Sequence, residues 1–182
     1  MDRSQIKSLA RDQIRGNVGM YLLASLIVGA LMSIIPGIAA IILGPVLLMG
    51  LTYVELDVRD GKGVSIERLF DPFHDFGRVW VVNFLMGLYT FLWSLLFVIP
   101  GWIKKYSYAM APYIVAENPD ISADDAITRS REIMDGHKWE LFVLDLSFIG
   151  WHLLGPLTFG LIYIYVSPYI ALAKVNFYDR IK

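Results

Sequence analysis

Charged residues are absent from long stretches of this chain and are concentrated in the short stretches between them. No charged residue occurs from Asn17 to Val54, a length sufficient for two membrane-crossing helices of about 17 to 20 residues each. A second uncharged stretch runs from Val79 to Ile103, and a third, mostly apolar stretch runs from Trp139 to Ala173. The pattern predicts an all-α protein that crosses a bilayer several times.

Pairs of proline and glycine lie within each apolar stretch or near its end. Because these residues interrupt helices, each pair marks the turn of a helical hairpin. We therefore predict about six transmembrane helices arranged as three hairpins. The return segment of the second hairpin, residues 101–116, is short, and the sequence leaves open whether it crosses the bilayer fully. The three pairs placed at turns are Pro36-Gly37, Pro100-Gly101 and Gly155-Pro156, whereas Gly44-Pro45 can instead kink the second crossing helix.

An amphipathic segment precedes each hairpin, on the side of the membrane that holds the N-terminus. In residues 2–15, basic residues recur at every fourth position, at Arg3, Lys7, Arg11 and Arg15, and apolar residues occupy another helical face. The pattern is typical of a helix that lies among lipid headgroups. It is equally typical of an amphipathic helix that docks on its own protein.

The second and third amphipathic segments carry signals of helix starts and breaks. In the second, we expect Asp71-Pro72 to interrupt the helix, with Asp71 as a cap and Pro72 in the first turn that follows. In the third, Ser122 is followed three residues later by Asp125, which is a capping pattern. Apolar residues with helical spacing in the second segment are Ile66, Leu69, Phe70 and Phe73.

Composition supports lipid as the solvent of the apolar segments. Apolar residues make up 56% of the 182 residues and charged residues only 18%, whereas soluble domains carry about a quarter. A soluble protein of this size lacks the interior to bury so much apolar side chain. The formal net charge of -1 argues against a nucleic-acid partner. The absence of cysteine excludes disulfides and thiolate zinc sites.

The second and third hairpins resemble each other in sequence. We interpret the chain as one integral membrane domain, 1–182, with candidate repeats at 1–60, 61–118 and 119–182. The alternative is that unrelated membrane hairpins share Trp, Gly and Pro at their ends. The matching positions are Gly77 with Gly136, Trp80 with Trp139, and Ala111-Pro112-Tyr113-Ile114 with Ser167-Pro168-Tyr169-Ile170.

The basic residues indicate an orientation. With six crossings, every Lys and Arg except Lys104 and Lys105 falls on the side of the N-terminus. Because cytoplasmic loops carry an excess of basic residues, both termini are predicted to lie in the cytoplasm, with the protein in the plasma membrane.

Asp145 is the most notable candidate for chemistry, because a carboxylate near the middle of a bilayer costs roughly 2.5–3.5 kcal/mol. Lys174 lies on the return helix of the same hairpin, about one helical turn further from the turn, and its side chain can extend over that difference. The pair is either structural, or Asp145 handles a proton or cation in a central cavity.

Other polar and aromatic residues have simpler interpretations. Asn83 and His152 are candidates for hydrogen bonds within or beside crossing helices. No motif for a catalytic site, a metal site or a cofactor occurs in the sequence. Four tryptophans near predicted helix ends are expected to anchor the protein at the membrane interface: Trp80, Trp102, Trp139 and Trp151.

Several short motifs occur from residue 99 onward: Ile99-Pro100-Gly101, Tyr106-Ser107-Tyr108, Ser130-Arg131, Met134-Asp135-Gly136-His137-Lys138, Phe142, Leu144, Leu146-Ser147-Phe148-Ile149-Gly150-Trp151, Pro168-Tyr169 and Phe177-Tyr178. Together they resemble a bacterial integral membrane family that is catalogued as domain of unknown function 975. The resemblance covers about residues 64 to 180, and the first 60 residues match only in character. It implies a multi-span bacterial membrane protein of unassigned activity, with no catalytic or ligand residues to transfer.

Three classes of function fit these observations. The first is a non-enzymatic accessory or scaffold protein that binds membrane lipid or another membrane protein. The second is a small transporter or channel for a solute or ion, in which Asp145 lines a central cavity. The third, an enzyme acting on lipid, ranks last because the sequence contains no recognisable pair of nucleophile and base.

Overall fold

Helices account for the regular structure of the chain. The computed structural model describes residues 3–96, 98–158 and 162–182, and within these ranges it contains no β-strand. The all-α prediction is therefore confirmed. The α-helices are α1 (Arg3–Ile14), α2 (Val18–Ile34), α3 (Ile38–Arg59), α4 (Phe76–Leu96), α5 (Val98–Tyr108), α6 (Ala111–Glu117), α7 (Ala123–Ile133), α8 (Lys138–Leu146), α9 (Ile149–Leu154) and α10 (Tyr163–Ile181). Short 3₁₀ helices cover Glu67–Asp75 and Pro156–Thr158.

Two helical segments of the described chain are long and apolar enough to cross a membrane. They are Ala39–Arg59 and Glu67–Ser94. A third crossing is possible by the same criteria if α1 and α2, which meet at a bend of 86°, form one broken span. Helix length and composition thus support two or three crossings, fewer than the six predicted.

Two of the predicted crossings are broken by turns in the helix. The second return segment consists of α5 and α6, with a break at Ala109 and Met110. Ser130 of α7 stabilises this break, because its hydroxyl donates to the Ser107 carbonyl at 2.9 Å and accepts from the Met110 amide at 3.2 Å. In the third hairpin the break lies at Ser147 and Phe148, between α8 and α9.

The predicted turns agree with the structure at the first hairpin and not at the second. α2 ends at Ile34 and α3 begins at Ile38, and Gly37 between them has a φ of 57°. Pro100 and Gly101 instead lie inside α5, where Gly101 allows a close approach to α4. A Cβ on Gly101 would lie 2.9 Å from the Ser94 Cα.

The turn predicted at Gly155-Pro156 coincides with the end of α9 and the start of a short 3₁₀ helix. Gly155 packs against the ring of Tyr163, the first residue of α10. Residues 159–161 of this predicted hairpin lie outside the described residues.

Helix α1 is docked on the rest of the protein. Its apolar residues Ile6, Ala10 and Ile14 are completely buried, and the helix packs mainly along α10. The Lys7 ammonium lies 4.3 Å from the centre of the Phe148 ring. Of the two interpretations of this segment, the structure shows docking on the protein itself.

For the other two amphipathic segments, one prediction from the sequence agrees with the structure and the other does not. Ser122 caps α7 as predicted, since its hydroxyl accepts from the Asp125 amide at 3.1 Å. The predicted break at Asp71-Pro72 is wrong. Pro72 lies inside the 3₁₀ helix, and the Asp71 carboxylate pairs with Arg68 instead of capping a new helix.

The core lies where α1, α3, α6 and α10 meet, while α2, α3 and α4 carry large apolar side chains on their outer surfaces. In the core, Phe148 and Phe177 are fully buried. On the outside, Leu26 is 60% exposed, Ile41 67% and Phe91 60%. Soluble proteins rarely expose so many large apolar side chains, so these faces are suited to contact with lipid.

Gly50 of α3 packs directly on the 3₁₀ helix, and this contact gives a test of the fold. In Gly50→Ala, the added Cβ would lie 2.2 Å from the carbonyl oxygen of Leu69. Because the neighbour is backbone, the two helices must separate, and we expect the free energy of unfolding to fall by about 1–3 kcal/mol. Chemical unfolding in detergent micelles measures this change.

Gly29→Ala in α2 is the matched control. No atom lies within 4 Å of the position of its added Cβ, and alanine favours helix more than glycine. Equal destabilisation by the two substitutions would contradict the packing of α3 on the 3₁₀ helix.

Candidate functional site

The C-terminal ends of α3, α6 and α10 meet in a set of ion pairs, which we call the terminal cluster: Arg59, Asp60, Glu117, Asp179 and Lys182. Arg59 Nη1 lies 2.6 Å from Glu117 Oε1 and 2.9 Å from Asp179 Oδ1. Lys182 Nζ lies 3.0 Å and 2.7 Å from the same two carboxylates. Cations at helix C-termini are favoured by the helix dipole. The cluster therefore joins three helix ends that are far apart in sequence.

Hydrogen bonds set the protonation of Glu117 in this cluster. Burial alone would raise its pKa, but hydrogen bonds from Arg59, Lys182 and Tyr178 outweigh burial and lower the pKa from its ordinary value of 4.5. Arg59 is the least exposed of the charged side chains around it, at 14%. The cluster thus keeps the Glu117 carboxylate ionised, and the carboxylate accepts hydrogen bonds from its neighbours.

A buried polar layer continues from the terminal cluster into the bundle. Tyr178 donates to Glu117 Oε2 at 2.8 Å, and its ring stacks on Tyr113 with 5.5 Å between ring centres. Tyr113 interacts with the carboxylate of Glu55, which also accepts from the Tyr21 hydroxyl at 2.9 Å. Glu55 is only 8% exposed.

The structure brings Asp145 and Lys174 together. Lys174 Nζ lies 3.2 Å from Asp145 Oδ1, and the Tyr106 hydroxyl donates to Asp145 Oδ2 at 3.3 Å. Lys174 is also close enough to Glu55 to interact electrostatically. Asp145 therefore has a cationic partner and a hydroxyl donor, as expected of a carboxylate in an apolar environment.

Asn83 and His152 lie apart from this pair and from each other. The Asn83 amide donates to the Val79 carbonyl of its own helix at 2.9 Å and lines an apolar cavity between α3 and α4. The His152 ring is exposed, and its Nδ1 lies 3.3 Å from the Tyr163 hydroxyl. The four polar candidates from the sequence do not form one site.

The four tryptophans differ in exposure. Trp139 and Trp102 are 71% and 58% exposed and line one apolar cavity. Trp80 is partly buried and stacks on Phe84 at 4.9 Å, while its indole nitrogen is buried with no hydrogen-bond partner among the described residues. Trp151 is partly buried against the core.

Lys104 lies beside Arg131 and Lys138, contrary to its predicted separation from them. The three side chains line one cavity of about 360 Å³ between α5, α7 and α8. A turn at Pro100-Gly101 would place Lys104 on the opposite side of the membrane from Arg131 and Lys138. α5 begins before Pro100-Gly101, so Lys104 lies within the returning segment.

Sequence reasoning did not single out Glu55 or the members of the terminal cluster. The uncharged stretch ends at Val54, just before Glu55, whereas α3 continues to Arg59. Their four-residue spacing, which places them on one helical face, was the available signal. Within the described ranges, no group of three or more metal-ligating side chains occurs.

Comparison with family models identifies the family. A model described as a protein of unknown function, DUF975, matches residues 1–104 and 95–182. The chain belongs to the DUF975 family. The match also covers the first 60 residues, which in the sequence analysis resembled the family only in character. Comparisons of this DUF975 protein with curated proteins and with solved structures found no match.

Acid should weaken the terminal cluster of this DUF975 protein. Because the pKa of Glu117 is lowered in the folded state, its contribution to stability is complete above 4.5 and is lost as the pH falls through the folded-state pKa. We expect the wild-type unfolding temperature to fall between about pH 6 and about pH 3. The unfolding temperature of Glu117→Gln should be lower than that of the wild type at pH 6 and should change less over this pH range.

Thermal unfolding in detergent at several pH values measures both profiles. Glu67→Gln is the control, since Glu67 is exposed and lies outside the cluster, and its profile should follow that of the wild type. Parallel profiles for Glu117→Gln and the wild type would contradict the role of Glu117.

Proposed function

We propose that this protein is a multi-span integral protein of the bacterial plasma membrane that binds membrane lipid or another membrane protein. It acts as an accessory or scaffold and catalyses no reaction. The observation that carries the proposal is the exposed apolar surface of α2, α3 and α4. Leu26, Ile34 and Ile41, for example, are 60%, 75% and 67% exposed. Such surfaces are stable only against lipid or another apolar surface.

The pairing of the polar groups inside the bundle supports a scaffold rather than a pore. Asp145, the carboxylate that a transporter would use, is paired with Lys174 and Tyr106. Arg59 is paired with Glu117 and Asp179. Paired charges of this kind hold helices together and leave little for a moving ion to bind.

The terminal cluster supports a topology in which the C-terminus lies on the same side as the ends of α3 and α6, and the basic residues assign that side to the cytoplasm. Because Glu117 contacts both Arg59 and Lys182, the ends of α3, α6 and α10 lie on one side of the proposed membrane. An even number of crossings then separates these ends. Six crossings fit if the broken pairs α5–α6 and α8–α9 each cross with a kink, and Lys104 then lies inside a crossing and not at the outer surface.

Cysteine labelling tests this topology, since the chain contains no cysteine of its own. We expect Pro36→Cys, in the first turn, to react with a membrane-impermeant maleimide in intact cells. Asp120→Cys, between α6 and α7, should react only after the cells are permeabilised. Both proteins should stay in the membrane pellet after an alkaline wash.

The reverse labelling would contradict the orientation, and release by the alkaline wash would contradict membrane integration. Photo-crosslinking in native membranes then tests the accessory role. Recovery of neither a lipid nor a membrane protein would count against it.

A transporter is the second candidate, and one observation favours it. Glu55 is a buried carboxylate that accepts from Tyr21 and lies near Lys174, so ionisable groups approach one another inside apolar helices. Such groups often mark the path of an ion or a proton.

Asp145→Asn separates the two candidates. Under the accessory proposal, proton flux into proteoliposomes, followed with an enclosed pH-sensitive dye, should be the same for the variant and the wild type. Tyr106→Phe, which removes only the hydroxyl donor to Asp145, is the control for altered packing. Protein-dependent flux that Asp145→Asn changes and Tyr106→Phe retains would favour the transporter.

A further inference from the structure

Two cavities of different character meet on the surface formed by α5, α7 and α8. The polar cavity, of about 360 Å³, is lined by Lys104, Arg131 and Lys138, together with Ser107, Thr128, Glu132 and Asp135. The apolar cavity, of about 300 Å³, is lined by Trp102, Ile103, Tyr106, Trp139 and Phe142. Lys138 lines both, so the cavities adjoin at that side chain.

The cations of the polar cavity are only partly neutralised. Among the described residues, Lys104 and Arg131 have no carboxylate within ion-pair distance, and the Lys104 ammonium lies 4.5 Å from the centre of the Trp93 ring. Lys138 Nζ lies 3.7 Å from Asp135, which is 86% exposed. Glu132 is the other carboxylate of the cavity, so three cations face two anions.

The polar cavity differs from the terminal cluster, where Arg59 and Lys182 each contact at least two carboxylates. A lysine in a proposed crossing segment with no counter-ion is costly unless a ligand supplies one. Arginine and lysine together are suited to a phosphate group. The Thr128 hydroxyl lies in the same cavity and can donate to such a group.

The apolar cavity presents exposed aromatic and aliphatic side chains next to these cations. Trp102, Ile103 and Trp139 are 58%, 49% and 71% exposed. Trp139 packs on Phe142 at 5.1 Å between ring centres, and Phe142 meets the Tyr106 ring edge-on at 6.0 Å. These rings form an open apolar surface beside the cations, where an acyl chain can lie.

We propose that the adjoining cavities of α5, α7 and α8 bind one anionic phospholipid. Its phosphate lies between Lys104, Arg131 and Lys138, and an acyl chain covers Trp102, Trp139 and Phe142. This inference rests on the proposed function and deepens it, because it names the class of lipid. A zwitterionic lipid would bring its own cation against Lys104 and Arg131 and would bind less well.

Quenching of tryptophan fluorescence by brominated lipid tests the proposal. The full-length protein is reconstituted in phosphatidylcholine vesicles that contain increasing fractions of brominated phosphatidylglycerol, with brominated phosphatidylcholine in a parallel series. We expect phosphatidylglycerol to quench at low mole fraction because Trp102 and Trp139 line the site. In K104Q/R131Q, the fraction needed for half-maximal quenching should rise about thirtyfold, because each of the two cations near an anionic lipid contributes roughly a fivefold step.

The matched control is K105Q/R129Q. It removes one lysine from α5 and one arginine from α7, both exposed and neither lining the polar cavity. Its quenching curve should stay within about twofold of the wild type, since the net charge of the protein changes equally in both double variants. If K104Q/R131Q does not insert, the single variants Lys104→Gln and Arg131→Gln carry the same comparison.

Three results would overturn the proposal: equal quenching by the two brominated lipids, an equal loss in K105Q/R129Q, or removal of the quenching by millimolar glycerol phosphate. The last result would assign the cavity to a soluble phosphate compound. Flotation of the same vesicles separates this failure from that of the proposed function. Protein that floats without lipid selectivity contradicts only the lipid site, whereas protein that does not float contradicts membrane integration.

Discussion

Arg59 links helix ends that are otherwise separated by most of the chain. Its guanidinium contacts Glu117 at the end of α6 and Asp179 in the last turn of α10, and α3 itself ends at Arg59. Apolar side chains are as stable against lipid as against one another, so in the proposed membrane they would not by themselves decide which helices are neighbours. Directional contacts between charged helix ends make that choice, and the arrangement of α3, α6 and α10 depends on them.

A second set of paired charges lies away from the apolar outer surface. Glu55 is buried and Asp145 and Lys174 are partly buried, and each has a hydroxyl or an ion partner. Burying an unpaired charge costs far more than burying a paired one. Pairing the charges inward leaves the outside of α2, α3 and α4 to leucine, isoleucine and phenylalanine, the residues that suit lipid.

The sequence predicted features that depend on neighbouring residues and missed those that depend on distant ones. The cap at Ser122 and the turn at Gly37 follow from local backbone chemistry, and both are present. The break between α5 and α6 depends on the hydroxyl of Ser130, about twenty residues away, which satisfies the Ser107 carbonyl and the Met110 amide. No local pattern reveals such a contact. The error at Pro100-Gly101 has the same origin, since that glycine serves the approach of α5 to α4 and not a turn.

A comparison of Asp145 with Lys104 shows why partners matter more than position. A carboxylate within an apolar stretch attracts attention in a sequence, yet Asp145 has Lys174 and Tyr106 to satisfy it. Lys104 looks like an ordinary lysine at a membrane surface, yet it lies beside Arg131 and Lys138, and an aromatic ring is its nearest compensation. Because like charges that share a cavity repel each other, and Glu132 and Asp135 offset the three cations only in part, the proposed anionic lipid would lower that repulsion. The partly balanced cations, rather than the paired Asp145, therefore support the proposed lipid site.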